Sequence, residues 1–496
     1  MSEEELYRAR LSKLQALQTK GVDAWPVRFD RTHVAAELHD TYNDLEAGAE
    51  SGANVRVAGR LMSSRTQGKV AFGDLVDASG KIQLFVAPEG VEAFDSFDSG
   101  DVIGASGEVI RTKRGELSVR TTDIVLLAKA LRPLPDKWHG LQDVEVRFRQ
   151  RYLDLIANPD ARRIAELRIE TLRTTRNFLD ARGFNEVETP VLHPIPGGAA
   201  AEPFVTHFNA ISNDMYLRVA TELYLKRLIV GGLERVYEIG RTFRNEGLSY
   251  KYNPEFTMLE AYQAYADYGD MMELVQSLVQ DVAQQTIGGT KTSFRGHDID
   301  LGGRWPRVTM IDLVSKATGT KIDLDTPVTD LRETCARFDV EVQPWWGAGM
   351  LIGELHDKVA EKTIVEPTIV QDYPLDISPL ARRHRDDPRL TERFEPIVCG
   401  MEIGNAFSEL NDPIDQRVRF EAQMEAREHG DLEANPIDEP YIRALEYGMP
   451  PTGGLGVGID RVVMVLAGVQ SIREVILFPA LRPETADEES DDPNGG

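Results

Sequence analysis

The spacing of apolar positions along the chain changes several times, and each change predicts a different kind of element. Residues 4–20 (EELYRARLSKLQALQTK) put Leu6, Leu11, Leu14 and Leu17 near helical spacing, which predicts an amphipathic helix stopped at Gly21. From Val55 to about Leu127 the text turns to short β-rich runs: VRVAGRLMSS, VAFGDLVD, KIQLFV, DVIGASGEVIRT and LSVRTTDIVLLA. Gly-Lys, Ser-Gly and Arg-Gly punctuate them as turns. Leu131-Arg132-Pro133-Leu134-Pro135 reads as a linker, its prolines favouring extended backbone. Helical spacing returns over 160–182, 268–286 and about 460–468, with extended runs over 215–220, 234–244, 254–264, 394–399 and 401–411.

Five short strands suit a small closed barrel, an OB-fold being the first candidate and a barrel used for protein contacts the alternative. Strands in runs with helices between them predict a larger antiparallel α+β domain. The expected organisation is therefore 1–145, a helix and barrel; 146–482, an α+β domain; and 483–496, an acidic tail expected to be disordered. The chain has 496 residues, of which 42% are hydrophobic, and no stretch approaches a membrane span. Its N-terminus is acidic, unlike a secretory signal. Two cysteines, Cys335 and Cys399, imply neither a disulfide framework nor a zinc knuckle, so a cytoplasmic, reduced setting is expected. The net charge of −25 argues against a protein that grips nucleic acid non-specifically, but leaves room for one that reads a single RNA through local patches. Neither a G-x-G-x-x-G after a strand nor a Walker loop occurs.

Three segments carry the chemistry. They are Gly183–Pro190 (GFNEVETP), Phe243–Gly247 (FRNEG) with Asn253–Thr257 (NPEFT), and Gly453–Arg461 (GGLGVGIDR). In order and spacing they resemble motifs 1, 2 and 3 of the class II aminoacyl-tRNA synthetases. In amino-acid activation a carboxylate attacks the α-phosphate of ATP and pyrophosphate leaves, so positioning and charge neutralisation supply most of the catalysis. Arg244 can set a planar fork against both carboxylate and α-phosphate. Glu246, expected to share its strand face, can accept from the adenine amino group, and Phe256 can stack on the ring. Arg461, expected at a helix start after a glycine-rich strand, suits a terminal phosphate. Gly453, Gly454, Gly456 and Gly458 are expected to leave room for the nucleotide.

Phe394–Asn405 reads as a hairpin turning at Cys399-Gly400, which brings Glu395 and Glu402 into diagonal reach. Two such carboxylates beside a triphosphate are natural Mg²⁺ ligands. Phe256, Met258, Glu260 and Tyr262 alternate onto one strand face, and Asn405, Phe407 and Glu409 onto another. Glu402 has the opposite parity and needs a bulge near Gly404 to join them. With Glu222, these carboxylates call for a ligand bearing two positive groups, an α-ammonium and a side-chain ammonium. No cation is expected on these faces.

Longer stretches narrow the resemblance. LRPLPDKWHGL, RQRYLDLI, GFNEVETPVL, PGGAAAEPF, ELYLKRLIVGG, EFTMLEAYQAYADY, EIGNAFSELND, GLGVGIDR and VILFPALRP are similar to the bacterial-type lysyl-tRNA synthetases, from about residue 6 to 482. The resemblance implies ATP, L-lysine and tRNA(Lys) as substrates, Mg²⁺, and a homodimer built through motif 1. It implies that Glu222 holds the α-amino group, and that Glu260, Tyr262 and Glu409 hold the side-chain amine. Asn405 would lie near the lysine carboxylate, Phe407 would form a pocket wall, and Asn253 would join the ATP site. On the barrel it implies stacking of an anticodon base on Phe72, edge reading by Gln83 and Glu116, and a contact from Arg65. The chain departs from the family pattern at Lys251-Tyr252, where Arg-His is usual, and at Glu202, Phe208 and Thr221, in place of arginine, histidine and proline. A relative that lysylates a protein would lack the barrel, a lipid-modifying one would carry a membrane segment, and a non-catalytic RNA-binding paralogue would not need these ligands.

Overall fold

A computed structural model describes residues 2–135, 141, 143–428 and 436–483. The acidic tail after Pro483 and part of Leu131–Leu141 lie outside the described residues. The chain divides into two compact units, Met1–Gln142 and Asp143–Gly496.

In the first unit the amphipathic run forms the helix Glu3–Thr19. It starts on a capping box between Ser2 and Glu5, and Gly21 follows it at φ 79°. Strands Glu50–Gln67, Val70–Val76, Lys81–Val86, Val102–Arg111 and Leu117–Ala128 close into a barrel. The third strand runs parallel to the fifth, and the other pairs are antiparallel. Inward positions such as Ala71, Leu75, Ile82, Leu84 and Val119 fill it, joined by Leu14 and Leu17 of the helix. The alternation of polar and apolar residues in the second and third strands thus decides which residues face out.

The second unit is built on eight strands. Across the sheet they run Arg307–Thr309, Thr368–Pro374, Leu390–Ile397, Gly404–Ser408, Thr452–Gly458, Glu255–Ala264, Arg235–Phe243 and Asn185–Glu186. The six central strands are antiparallel, but both edge strands pair in parallel, so the sheet is mixed where an antiparallel one was expected. Helices Pro159–Asp180, Tyr268–Ile287 and Ile459–Ala467 cover one face, packing on Leu259, Ala261, Phe394, Ala406, Leu455 and Val457. Since side chains alternate, Phe256, Met258, Glu260, Tyr262, Asn405 and Phe407 point to the opposite face. The sequence pattern did not show the short helices Met310–Thr318, Val328–Arg337 and Ala348–Leu355, which bury a separate core around Leu331, Cys335 and Leu351. Runs of eight to ten residues give too few turns for periodicity to register. No helix among the described residues is long and apolar enough to cross a membrane. Both cysteines are buried and free.

Candidate active site

The opposite face of the sheet, partly covered by the helices Glu222–Val230 and Glu439–Glu446, carries a trough. Across three adjacent strands, Tyr262 pairs with Gly454 and Gly454 with Phe407; one step along, Glu260 pairs with Gly456 and Gly456 with Asn405. Each row has a glycine at its centre, so the floor is bare backbone between two walls of side chains. A Cβ on Gly454 would stand 1.8 Å from Glu409 Oε1 and 2.6 Å from Tyr262 Cε1. At Gly453 it would meet Met271 at 2.9 Å and the Asp267 carbonyl at 3.0 Å. These two glycines therefore make room for the chain's own side chains, not for a nucleotide as expected. Gly456 is less crowded, with Met258 Cε at 3.4 Å.

Glu222, Glu260 and Glu409 converge at one end of this trough, all buried. Glu222 opens the helix Glu222–Val230. Glu260 accepts from the Thr221 backbone N–H at 2.9 Å and from the Tyr262 hydroxyl at 3.1 Å. Glu409 Oε1 is buried and has no hydrogen-bond partner. Burial, then the charge of Glu222, pushes the Glu260 carboxyl up to about 7. Glu222 and Glu409 are raised as well, burial again being the main cause. A cation stands here, brought by the helix Glu222–Val230 and not by either strand face. Lys226 Nζ lies 2.5 Å from Glu222 Oε1, contacts Glu409 Oε2 and sits 5.3 Å from the centre of the Phe407 ring. Glu222 and Lys226 are four residues apart on one helix and so share a face, a spacing already visible in ELYLKR.

The hairpin turns at Cys399-Gly400 as expected, both residues at positive φ (48° and 61°) between the mutual hydrogen bonds of Val398 and Met401. The expected bulge is present too. Phe394 pairs with Ala406 and Ile397 with Glu402, so three steps on one strand face four on the other, around Gly404. Glu395 and Glu402 lie in each other's field, and burial followed by Glu402 raises Glu395 to about 7. Arg393, which sequence reasoning missed, donates to Glu395 Oε1 at 2.7 Å and to Asn405 Oδ1 at 3.0 Å. Glu361 was missed as well; it accepts from the Glu402 backbone N–H at 3.1 Å. Among the described residues, no group of three or more His, Cys, Asp or Glu side chains is arranged to hold a metal ion. The Glu395 carboxylate, buried and in the field of Glu402, nevertheless fits with it a hard dication that completes its shell with phosphate oxygens and water.

Arg244 follows the strand Arg235–Phe243, with its guanidinium 5.1 Å from the Phe256 ring centre and its buried Nε unpartnered. Glu246, Glu402, Arg461 and Glu260 all act on its charge. Glu246 lies beyond the strand in an exposed loop, so the shared-face argument does not place it. Arg461, in the first turn of the helix Ile459–Ala467, donates to the Glu402 carbonyl at 2.8 Å and to its carboxylate at 3.0 Å. Asn253 is buried and turns its amide to the chain: it donates to the Glu255 carbonyl at 2.5 Å and accepts from Ala480 N at 3.0 Å. These bonds tie the start of the motif 2 strand to the segment around Ala480. Asp460 ties the motifs together, accepting from Arg168 at 2.5 Å and from the Thr257 backbone at 2.6 Å.

On the barrel, exposed Arg65 pairs with Phe72 and lies 5.3 Å from its ring centre, while Phe85 packs edge-on to the same ring at 5.4 Å. Gln83 shares this outer face but is buried, its carbonyl oxygen accepting from Ser118 at 3.0 Å. Glu116 stands exposed, 3.8 Å from Lys81.

Residues 143–482 match the family described as tRNA synthetases class II (D, K and N), and residues 55–127 match the OB-fold nucleic acid binding domain. The lysine–tRNA ligase of Moorella thermoacetica is 50% identical over 488 residues, covering 97% of this chain and 99% of that protein. That of Bacillus subtilis is 50% identical over 482 residues, covering 96% and 97%. That of Xanthomonas oryzae is 50% identical over 492 residues, covering 97% of each. Motif order, an acidic trough on an antiparallel sheet core and likeness over nearly the whole length agree: the chain belongs to the class II tRNA synthetases and, within them, to the lysine–tRNA ligases.

Proposed function

We propose that the three buried carboxylates read the two ammonium groups of lysine, in the reaction of the family to which the chain belongs. Lysine and ATP give lysyl-adenylate and pyrophosphate; the lysyl group then passes to tRNA(Lys) and AMP leaves. The observation that carries this reading is Glu409 Oε1, buried beside two further carboxylates and without a donor. A buried acceptor left bare is costly, and an ammonium supplies the missing bond.

Glu222 takes the α-ammonium; Glu260, Tyr262 and Glu409 take the side-chain ammonium; Asn405 faces the carboxylate and Phe407 walls the chain of methylenes. Arg244 holds a lysine carboxylate oxygen in line with the α-phosphate and draws charge from it as the P–O bond to pyrophosphate breaks. Phe256 stacks on adenine, Glu246 accepts from its amino group, and Arg461 exchanges Glu402 for a terminal phosphate. Glu395 and Glu402 would hold Mg²⁺, which would offset charge on the leaving pyrophosphate. Transfer to the terminal ribose needs no dedicated base, since the adenylate is a mixed anhydride with AMP as its leaving group.

On the barrel, Arg65 and Phe72 offer a cation and a ring face to an anticodon base, with Gln83 and Glu116 beside them. Val191, Leu192, Val205, Phe208 and Ile211 are exposed apolar residues near motif 1, which supports a second copy of the chain as the partner covering them. Two buried free cysteines fit a cytoplasmic enzyme.

The test is ATP–pyrophosphate exchange by the purified protein, with each common amino acid and ornithine in parallel. Exchange with lysine is expected. Exchange with another amino acid in its place would overturn the reading of the pocket, and no exchange with any would turn attention to Lys251 and Tyr252.

A further inference from the structure

We propose that Lys226 is a specificity-determining positioning residue, a built-in counter-cation that sets the charge of the lysine pocket to match an amino acid with two ammonium groups. This rests on the assignment of Glu222, Glu260 and Glu409 to lysine. Lys226 is fully buried, and its ammonium bridges Glu222 on its own helix and Glu409 after the strand Gly404–Ser408. A lysine that served only to fill space would keep its ammonium at the surface, because burying it is costly without partners.

The geometry gives it two tasks. Bridging Glu222 to Glu409 fixes the spacing between the carboxylate for the α-ammonium and that for the side chain, so it gauges the length of the amino acid. It also sets the charge. Three carboxylates against one ammonium leave two negative charges, and lysine brings two ammonium groups. Tyr441 on the helix Glu439–Glu446 also faces Lys226; Glu260 and Tyr262, on the strand Glu255–Ala264, face Glu222 and Glu409, and Arg393 acts on Glu222 from the strand Leu390–Ile397. The buried Tyr441 hydroxyl lies in the field of Lys226. Without the Lys226 ammonium, the carboxylates would take up protons in place of substrate, since like charges cannot all ionise in one dry pocket.

The experiment is Lys226→Met in the full-length enzyme, followed by lysine-dependent exchange across pH. Three readouts separate a charge-setting role from a merely structural one. The KM for lysine is expected to rise at least about tenfold, with the KM for ATP within about twofold, because only one substrate meets the pocket. The acid limb of kcat/KM for lysine is expected to move up by about one pH unit, because the carboxylates hold their protons longer. Lys226→Arg, which retains the charge, is expected to keep the acid limb in place. Should Lys226→Met melt below the assay temperature, Lys226→Gln, which keeps donors but no charge, is read in the same way. An unchanged lysine KM and acid limb would overturn the proposal, as would an equal rise in both KM values. Failure of the lysine assignment itself would show separately, as exchange of the unsubstituted enzyme with a different amino acid.

Discussion

Glu409 and Gly454 occupy one place between them: a Cβ on Gly454 would fall 1.8 Å from Glu409 Oε1, well inside van der Waals contact. Gly454 of motif 3 thus leaves the space that the Glu409 carboxylate occupies. Gly454→Ala should displace Glu409 and press on Tyr262 while leaving Arg244 and Arg461 untouched. Lysine-dependent exchange should fall at least about 10²-fold in kcat/KM, close to 3 kcal/mol of transition-state stabilisation. ATP binding measured by calorimetry should change little. Unimpaired lysine kinetics would show that Glu409 seats elsewhere when lysine binds.

Glu260 should give lysine recognition a pH dependence near neutrality. Its carboxyl is raised to about 7 by burial and by Glu222, against the pull of the Thr221 N–H and the Tyr262 hydroxyl, with Glu409 nearby. An ammonium favours the ionised form, so lysine must displace the proton at lower pH. Lysine affinity should therefore rise as pH rises through about 7, and binding below that pH should release protons. Calorimetry in buffers of different ionisation enthalpy measures this directly, and Glu260→Gln should abolish it. The sign for stability is opposite. A carboxyl raised above its unfolded value stabilises the empty protein while it stays protonated, and that contribution is lost as pH climbs through about 7.

Arg168 and Asp460 should matter to folding more than to binding. Their buried pair, with the Thr257 N–H, joins the helix before motif 1, the strand of motif 2 and the start of motif 3. Arg168→Met leaves Asp460 buried and unpaired, which costs about 3–5 kcal/mol. Denaturant unfolding should show that loss. Arg168→Met with Asp460→Asn should recover part of it, because no lone charge then remains. Equal stability of single and double variants would mean that the pair is not coupled.

Strand alternation made much of the site legible in the sequence. Period two placed Phe256, Met258, Glu260 and Tyr262 on one face and Asn405, Phe407 and Glu409 on another; Glu222, on a helix, came from outside that pattern. The mismatch of Glu402 with that period even predicted the bulge. Relations between elements were not legible. Lys226 was visible as the fourth residue after Glu222, but only the packing of that helix on Glu409 shows that its ammonium enters the pocket. Asn253 lies in a recognisable motif, yet its hydrogen bond from Ala480, 227 residues on, is recorded by no local pattern. The burden on Gly454 depends on which residues flank it across two strands, and register is a property of the sheet, not of the segment.

Thr221 carries a last consequence. Its backbone N–H holds Glu260, and its φ of −99° lies outside the range a pyrrolidine ring permits. A proline at this position would have no N–H to give, so Thr221→Pro would both strip Glu260 of a bond and force the backbone to turn elsewhere. The residue that leads into the helix Glu222–Val230 thus helps to hold a buried carboxylate on a separate strand.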